Sequence, residues 1–299
     1  MFFLQSLSVF SFVFEILALF LSFYLKNTKI FFLALALLSF RLIYLYSSIY
    51  QAHLFVSLFL PFVFLLFIIT QNGILVFDKI NLNKIFILLF TLFLSLFLSK
   101  STVFNGSLGS FELGIFHPIS TISFLCFLAE ILFLLFLNLR TKEWYLLAAF
   151  IASYIQFLFI PSLQASYFEF SSLIFVFYLG FKTYKNAFYD SSVGLKNYKA
   201  LKRFCLGKEG MFLGILHFEN LSSSFLKKMA KFIQTSLKTK VFFHQNQFIC
   251  ILKNEKDSEK LEKIKNTLLN SSLSKSENFN IHISVAKYEK SLEESLKEN

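Results

Sequence analysis

Residues that staple or interrupt a chain are scarce: three cysteines, three prolines and nine glycines in 299 residues. Cys126, Cys205 and Cys250 stand alone, without Cys-x-x-Cys spacing, so neither a disulfide framework nor a zinc knuckle is encoded. No pair of apolar stretches is broken by Gly or Pro and no inverted repeat is visible, which removes the best sequence pointers to a transporter site. The start of the chain lacks the basic residues and the small-residue cleavage site of a signal peptide, so the first apolar stretch is expected to be a retained span. Aromatic and basic residues do not interleave as they do on nucleic-acid-binding surfaces, and no nucleic-acid partner is expected.

What the chain has in excess is apolar surface, with 56% hydrophobic residues and 45 Phe, too much for a soluble globular protein. A low-GC codon bias, which also favours Lys, Asn and Ile, accounts for the Phe. Charge is uneven: residues 1–189 hold 10 Lys/Arg and 6 Asp/Glu, whereas 190–299 hold 19 and 12, a net charge of +7 for the second part. Two domains are expected, a transmembrane domain at 1–183 and a soluble one at 184–299.

Seven stretches approach the roughly 20 apolar residues that cross about 30 Å of hydrocarbon. They are 3–25, 30–50, 53–71, 82–99, 118–138, 144–162 and 165–181, the last interrupted by Glu169. Lys26 and Lys29, Lys79 and Lys84, Arg140 and Lys142, and Lys182 and Lys185 fall in alternate connections, while the other connections carry only Lys100. Since short cytoplasmic loops carry the basic excess, this predicts a multi-pass protein of the bacterial inner membrane, N-terminus outside and C-terminal domain in the cytoplasm. The longest external segment, 101–117, reads as a connector.

Three ionisable residues lie inside spans, where each is costly enough to need a reason: Glu15, Arg41 and Glu130. Glu15 lies about as far before the turn at 26–29 as Arg41 lies after it, so both reach a similar depth and are placed to pair. Glu130 is a competitor for Arg41. A packing ion pair is the simpler reading, and a charged element of a signal or ion path is the alternative.

Beyond the membrane part the periodicity predicts a helix at 197–207, a strand at 211–218, a helix at 222–238, a hairpin at 240–252 turning at 244–247, a helix at 256–270, a strand at 279–286 and a terminal charged helix. This αβαββαβα order implies a small sheet with helices mainly on one face. Asp190, Gly194, Leu195 and Asn197 in Asp-Ser-Ser-Val-Gly-Leu-Lys-Asn, Phe248 in the hairpin and Ser284 in the late strand carry a resemblance to the GGDEF (diguanylate cyclase) family over the whole soluble region. The resemblance implies a palm-like βαββαβ core, so the fold class expected is an α-helical transmembrane bundle of seven spans followed by a small α/β domain with that core.

In that family an Asp ending the first strand and acidic hairpin residues hold two Mg²⁺ ions against a triphosphate, because hard cations need anionic oxygens. By the resemblance the corresponding positions here are His217 and the run His244-Gln245-Asn246-Gln247-Phe248, with no carboxylate. Glu219 lies two residues beyond His217, too little to hold two ions. His244 and Gln245 stand where the family's glycines let backbone approach phosphate. The product-inhibition motif aligns with Thr235-Ser236-Leu237-Lys238 and is absent, and the guanine-reading residues fall in the shortened 220–224. His217 and His244 are candidate ligands for Zn or Cu, but with Asn246, Gln247 and Glu219 they make a poor set, and packing histidines are the simpler reading. No cofactor is expected. Lys227, Lys228 and Lys231 suit anionic lipid as well as phosphate.

The expectation is therefore a pseudo-enzyme: a sensor, adaptor or assembly protein acting through protein contact. By the resemblance its soluble domain forms a homodimer, or a heterodimer with an active cyclase. The alternatives are a transporter or channel with a regulatory tail, a subunit of a polysaccharide secretion or other envelope machine, and a cyclase using Glu219 and amide oxygens alone.

Overall fold

The computed structural model describes residues 2–98, 110–111, 119–159, 168–208, 210–219, 223–237, 239–252, 254, 257–270, 280–288 and 292. The segment 101–117, apart from 110–111, lies outside these residues, as do 220–222, Lys238 and all of the expected terminal helix except Leu292. The chain divides into two compact units, Met1–Phe181 and Lys182–Asn299.

The first unit is built from helices α1 (Phe2–Tyr24), α2 (Thr28–Tyr46), α3 (Ile49–Ile69), α4 (Lys79–Leu98), α5 (Thr121–Thr141) and α6 (Trp144–Phe159), with the start of α7 (Glu169–Phe188); strands β1 (Ser110–Phe111) and β2 (Ile119–Ser120) pair between α4 and α5. Polar residues mark the helix starts. Asn27 Oδ1, Ser48 Oγ and Ser120 Oγ accept the amides of Ile30, Gln51 and Ser123, satisfying donors that an open first turn leaves orphaned. Lys142 at φ 57° is the left-handed cap that ends α5 just before Trp144 begins α6.

Among the described residues four helices, α2 to α5, are long and apolar enough to cross a membrane; Phe12–Tyr24 of α1 and Trp144–Ile155 of α6 are shorter apolar helices. α3 contacts α2, α4, α5 and α6, and the core around it is largely aromatic, with Phe32, Phe40, Phe64, Phe67 and Phe150 fully buried.

The pattern of α4 and α5 is the reverse of a soluble helix. α4 buries Asn81, Lys84, Thr91 and Ser95 along one stripe, while Phe86, Phe90, Phe93 and Phe97 are exposed on another. α5 buries Ser123, Glu130 and Asn138 and exposes Leu125, Leu132, Phe136 and Leu139. Water would penalise such faces, whereas hydrocarbon accepts them at no cost. The architecture thus fits a multi-pass membrane protein.

Two placements differ from the sequence reading. Lys84, expected in a connection between spans, belongs to α4 and is fully buried, because α4 starts at Lys79. Lys182 and Lys185, expected in an exit loop, continue α7, which runs to Phe188 without a breaker.

The second unit carries helix α8 (Tyr198–Cys205), strand β3 (Met211–Glu219), α9 (Ser223–Leu237), the hairpin β4 (Val241–His244) and β5 (Gln247–Leu252), α10 (Ser258–Leu269) and β6 (Asn280–Tyr288). The sheet order is β4-β5-β3-β6, antiparallel throughout. Strand alternation sorts the side chains. Leu216, Phe248, Cys250 and Ile281 share a core with Met229 and Ile233 of α9 and Leu261 and Ile264 of α10. The opposite face, with Leu213, Phe242 and Ile249, packs on Leu201 and Cys205 of α8 and on Leu292. Helices therefore cover both faces, because Leu201 and Cys205, four residues apart, give α8 an apolar stripe of its own. Gly214 lets α10 pack closely on β3: a Cβ there would overlap Leu261 Cδ1, so that leucine would have to shift.

Candidate functional site

In the bundle, Arg41 Nη1 donates to Glu15 Oε2 at 3.3 Å, joining α1 to α2. Glu15 is fully buried, Arg41 keeps some exposure, and the guanidinium lies 5.5 Å from the Phe12 ring centroid. Glu130 is not part of this pair. Its side chain is 4% exposed and neither carboxylate oxygen has a hydrogen-bond partner among the described residues.

Near Glu130 in sequence, α5 contributes to a buried polar knot that sequence reasoning did not find. Tyr154 Oη of α6 donates to the carbonyls of Ser57 (3.1 Å) and Ser123 (2.8 Å), while the Ser57 and Ser123 hydroxyls meet at 3.1 Å. The Tyr154 ring stacks on Phe127 at 4.0 Å. Ser57, Ser123 and Tyr154 come from α3, α5 and α6, so the knot ties three helices together. Uncharged residues in apolar stretches carry no periodic signal, which is why it escapes a reading of charges.

One end of the unit gathers the connections after α1, α3 and α5. Thr28 Oγ1 donates to the Gly73 carbonyl at 2.7 Å, and Lys29 Nζ pairs with Glu143 Oε2 at 2.7 Å. Lys84 Nζ donates to Asn72 Oδ1 at 2.5 Å and lies 5.3 Å from the Phe32 ring centroid, so the buried ammonium has a carbonyl and a ring face to meet it. The loop that supplies Asn72 is tightly wound. Leu75 N–H donates to Asp78 Oδ2 and Asn81 Nδ2 to the Leu75 carbonyl.

In the second unit the signature residues build a joint. Asp190 Oδ1 accepts the amides of Ser192 and Val193 and the Ser192 hydroxyl, closing a turn in which Gly194 takes φ 79°, a conformation costly for any residue with a Cβ. Val193 and Leu195 are buried. Asn197 caps α8 through Oδ1 to the Ala200 amide, while its Nδ2 and backbone N–H donate to the Ala187 and Phe188 carbonyls at the end of α7. The Lys196 carbonyl accepts from Phe243 N–H of β4. Three elements are thus pinned by eight residues.

The positions read as degenerate lie in register. His282, His217, Gln247 and His244 face each other in sequence across β6, β3, β5 and β4, so their side chains project from the α8 face of the sheet. His244 stacks on Tyr198 of α8, with ring centroids 4.6 Å apart, and His217 Nδ1 is buried without a hydrogen-bond partner among the described residues. His282, an exposed residue that the sequence reading passed over, joins the row only because β6 pairs with β3. Gln245 and Asn246 form the two-residue turn with φ 45° and 62°, both left-handed. Phe248 is fully buried between Phe218 and Phe243, and Ser284 lies opposite Ile215. The side chain of Glu219 lies outside the described residues. Among the described residues no three His, Cys, Asp or Glu side chains are grouped to hold a metal ion.

The thiols of this unit are buried rather than poised. Burial pushes Cys205 up to about 11 and Cys250 up to about 12, far from a reactive thiolate at neutral pH.

Compared with known protein families and with characterised proteins, the chain matches none.

Proposed function

We propose that this protein is a seven-span inner-membrane sensor, adaptor or assembly component whose cytoplasmic domain is a GGDEF-like pseudo-enzyme acting through protein contact. The observation that carries the reading is the cross-strand row His217, Gln247, His244 beside a turn of Gln245 and Asn246. In a βαββαβ domain of this element order, it puts imidazoles and amides where the resemblance expects metal-binding carboxylates. Neutral nitrogens and amides do not offset the charge of two Mg²⁺ ions and a triphosphate. The hydrogen-bonded joint at Asp190–Asn197 supports a transmitting role, because a displacement of the end of α7 acts directly on Asn197, and through Lys196 on β4. The domain then works as a homodimer or beside an active cyclase or envelope complex.

The full-length protein, purified in detergent and given GTP with Mg²⁺ or Mn²⁺, is expected to yield no cyclic dinucleotide. Crosslinking in intact membranes is expected to capture the chain with itself or with a defined partner. Dinucleotide formation would overturn the pseudo-enzyme reading, and recovery of neither self nor partner would overturn contact as the mode of action.

One observation favours a second reading, a transporter with a regulatory tail: Glu130 is a buried carboxyl without a hydrogen-bond partner among the described residues. Such a group inside a bundle suits a proton-coupled path. Proteoliposomes carrying a pH-sensitive dye would support it only if proton flux appears and is abolished by Glu130→Gln.

A further inference from the structure

At the end of the bundle where α2 begins, α3 and α5 end and α6 begins lies a half-open crevice of about 240 Å³. Its walls are apolar, including Ile69, Phe133 and Leu137, and its polar residues are Lys29, Asn138, Thr141 and Glu143. Lys29 and Glu143 form an ion pair whose side chains are 20% and 30% exposed, so it is open to an incoming group. Asn138 is 3% exposed and its Nδ2 has no hydrogen-bond partner among the described residues. The Asn138 amide nitrogen lies behind the crevice surface, so the charges open to an incoming group are those of Lys29 and Glu143.

We infer that this crevice binds the headgroup of a zwitterionic phospholipid that carries a primary ammonium. A zwitterion laid antiparallel to the Lys29–Glu143 pair meets opposite charge at both ends. Its phosphate accepts from Lys29 Nζ, and its ammonium donates to Glu143. A trimethylated headgroup has no N–H to give Glu143, and a purely anionic one brings negative charge against that carboxylate. The occupant is a lipid rather than a free zwitterion because the crevice lies at the helix ends, at headgroup depth for membrane helices, and its apolar lining reaches Phe133 and Leu134, about two turns inside the end of α5. The inference rests on the bilayer setting alone and stands or falls independently of the GGDEF-like reading.

Full-length protein in detergent, examined by native mass spectrometry with phosphatidylethanolamine, phosphatidylcholine or phosphatidylglycerol of matched acyl chains, provides the test. The ethanolamine lipid is expected to be retained about tenfold better than the choline lipid, the worth of one charge-assisted hydrogen bond. Glu143→Gln should bring the two to parity, and Lys29→Gln should weaken retention of both, since both carry the phosphate. The paired reversal Lys29→Glu with Glu143→Lys keeps an ion pair, and so the fold, but turns its dipole around; it too should abolish the preference. Equal retention of ethanolamine and choline lipids by the unmodified protein, or an unchanged preference in Glu143→Gln, would overturn the inference. Displacement of the bound lipid by millimolar free phosphoethanolamine would overturn the lipid assignment in favour of a soluble zwitterion.

Discussion

A single residue decides the outcome most sharply where its charge or its backbone has no alternative. Glu15 is fully buried, and what neutralises it is Arg41 across the α1–α2 hairpin. Arg41→Met should therefore cost about 3 kcal/mol or more, because it leaves a carboxylate buried without its counter-ion. Adding Glu15→Leu should restore most of the loss, as thermal unfolding of the purified variants would reveal. Gln245 is held at φ 45°, where a Cβ costs about 1–2 kcal/mol. Gln245→Gly should raise stability by about 1 kcal/mol, and an unchanged denaturant midpoint would mean that the side chain compensates. Cys205 and Cys250 titrate near 11 and 12 because their thiolates would be desolvated. Their folded values lie above the ordinary thiol value, so the stability they contribute is complete below about pH 8.5 and is lost as pH rises through 11 to 12. Maleimide at pH 8 should leave both unmodified until denaturant is added, as peptide mass mapping would establish.

At the scale of elements, the sequence is legible where one signal dominates and opaque where two compete. Apolar runs of span length locate α2 to α5, and the hairpin arithmetic that puts Glu15 and Arg41 at one depth needs nothing beyond the helical rise. The sheet is legible from MFLGILHF and FNIHISVA, whose β-branched and aromatic content has no helical period. Lys84 is opaque: a lysine flanked by Asn83 and Ile85 reads as a loop residue until the interior polar stripe of α4 is seen whole. The same holds for α8, whose second packing face emerges only when Leu201 and Cys205 meet Phe242 and Ile249. His282 shows a third limit, because strand pairing and not spacing brings it beside His217. The loop before α4 supplies the prediction at this scale. Gly73 has no room for a side chain, since a Cβ would lie 2.7 Å from Asp78 Cβ and 3.0 Å from Asn81 Nδ2. Gly73→Ala should displace Asp78 and Asn81, undo the Gly73 carbonyl's bond from Thr28, and cost about 1–3 kcal/mol. A melting temperature equal to that of the unmodified protein in the same detergent would show that the loop yields without cost.

For the whole molecule the decisive property is which end of the bundle faces which compartment. The contacts Thr28–Gly73 and Lys29–Glu143 bring the connections after α1, α3 and α5 to one end, and Lys26, Lys29, Lys79, Arg140 and Lys142 fall in or beside those connections. The connection between α2 and α3, Ser47 and Ser48, has no basic residue. A membrane potential that holds Lys and Arg in the cytoplasm should therefore orient the chain with the Ser47–Ser48 end outward. In a background with Cys126, Cys205 and Cys250 replaced by Ser, a membrane-impermeant maleimide added to intact cells should label Ser48→Cys but not Asn72→Cys. After the cells are opened it should label both, since both positions are exposed. Labelling of Asn72→Cys in intact cells would invert the orientation and place the basic end outside. Labelling of both positions in intact cells would break the assignment of these connections to opposite faces, and with it the reading of α3 as a span. The outcome also fixes where the phospholipid crevice lies, because Lys29, Asn138 and Glu143 sit at the Asn72 end: the expected result puts it in the cytoplasmic leaflet.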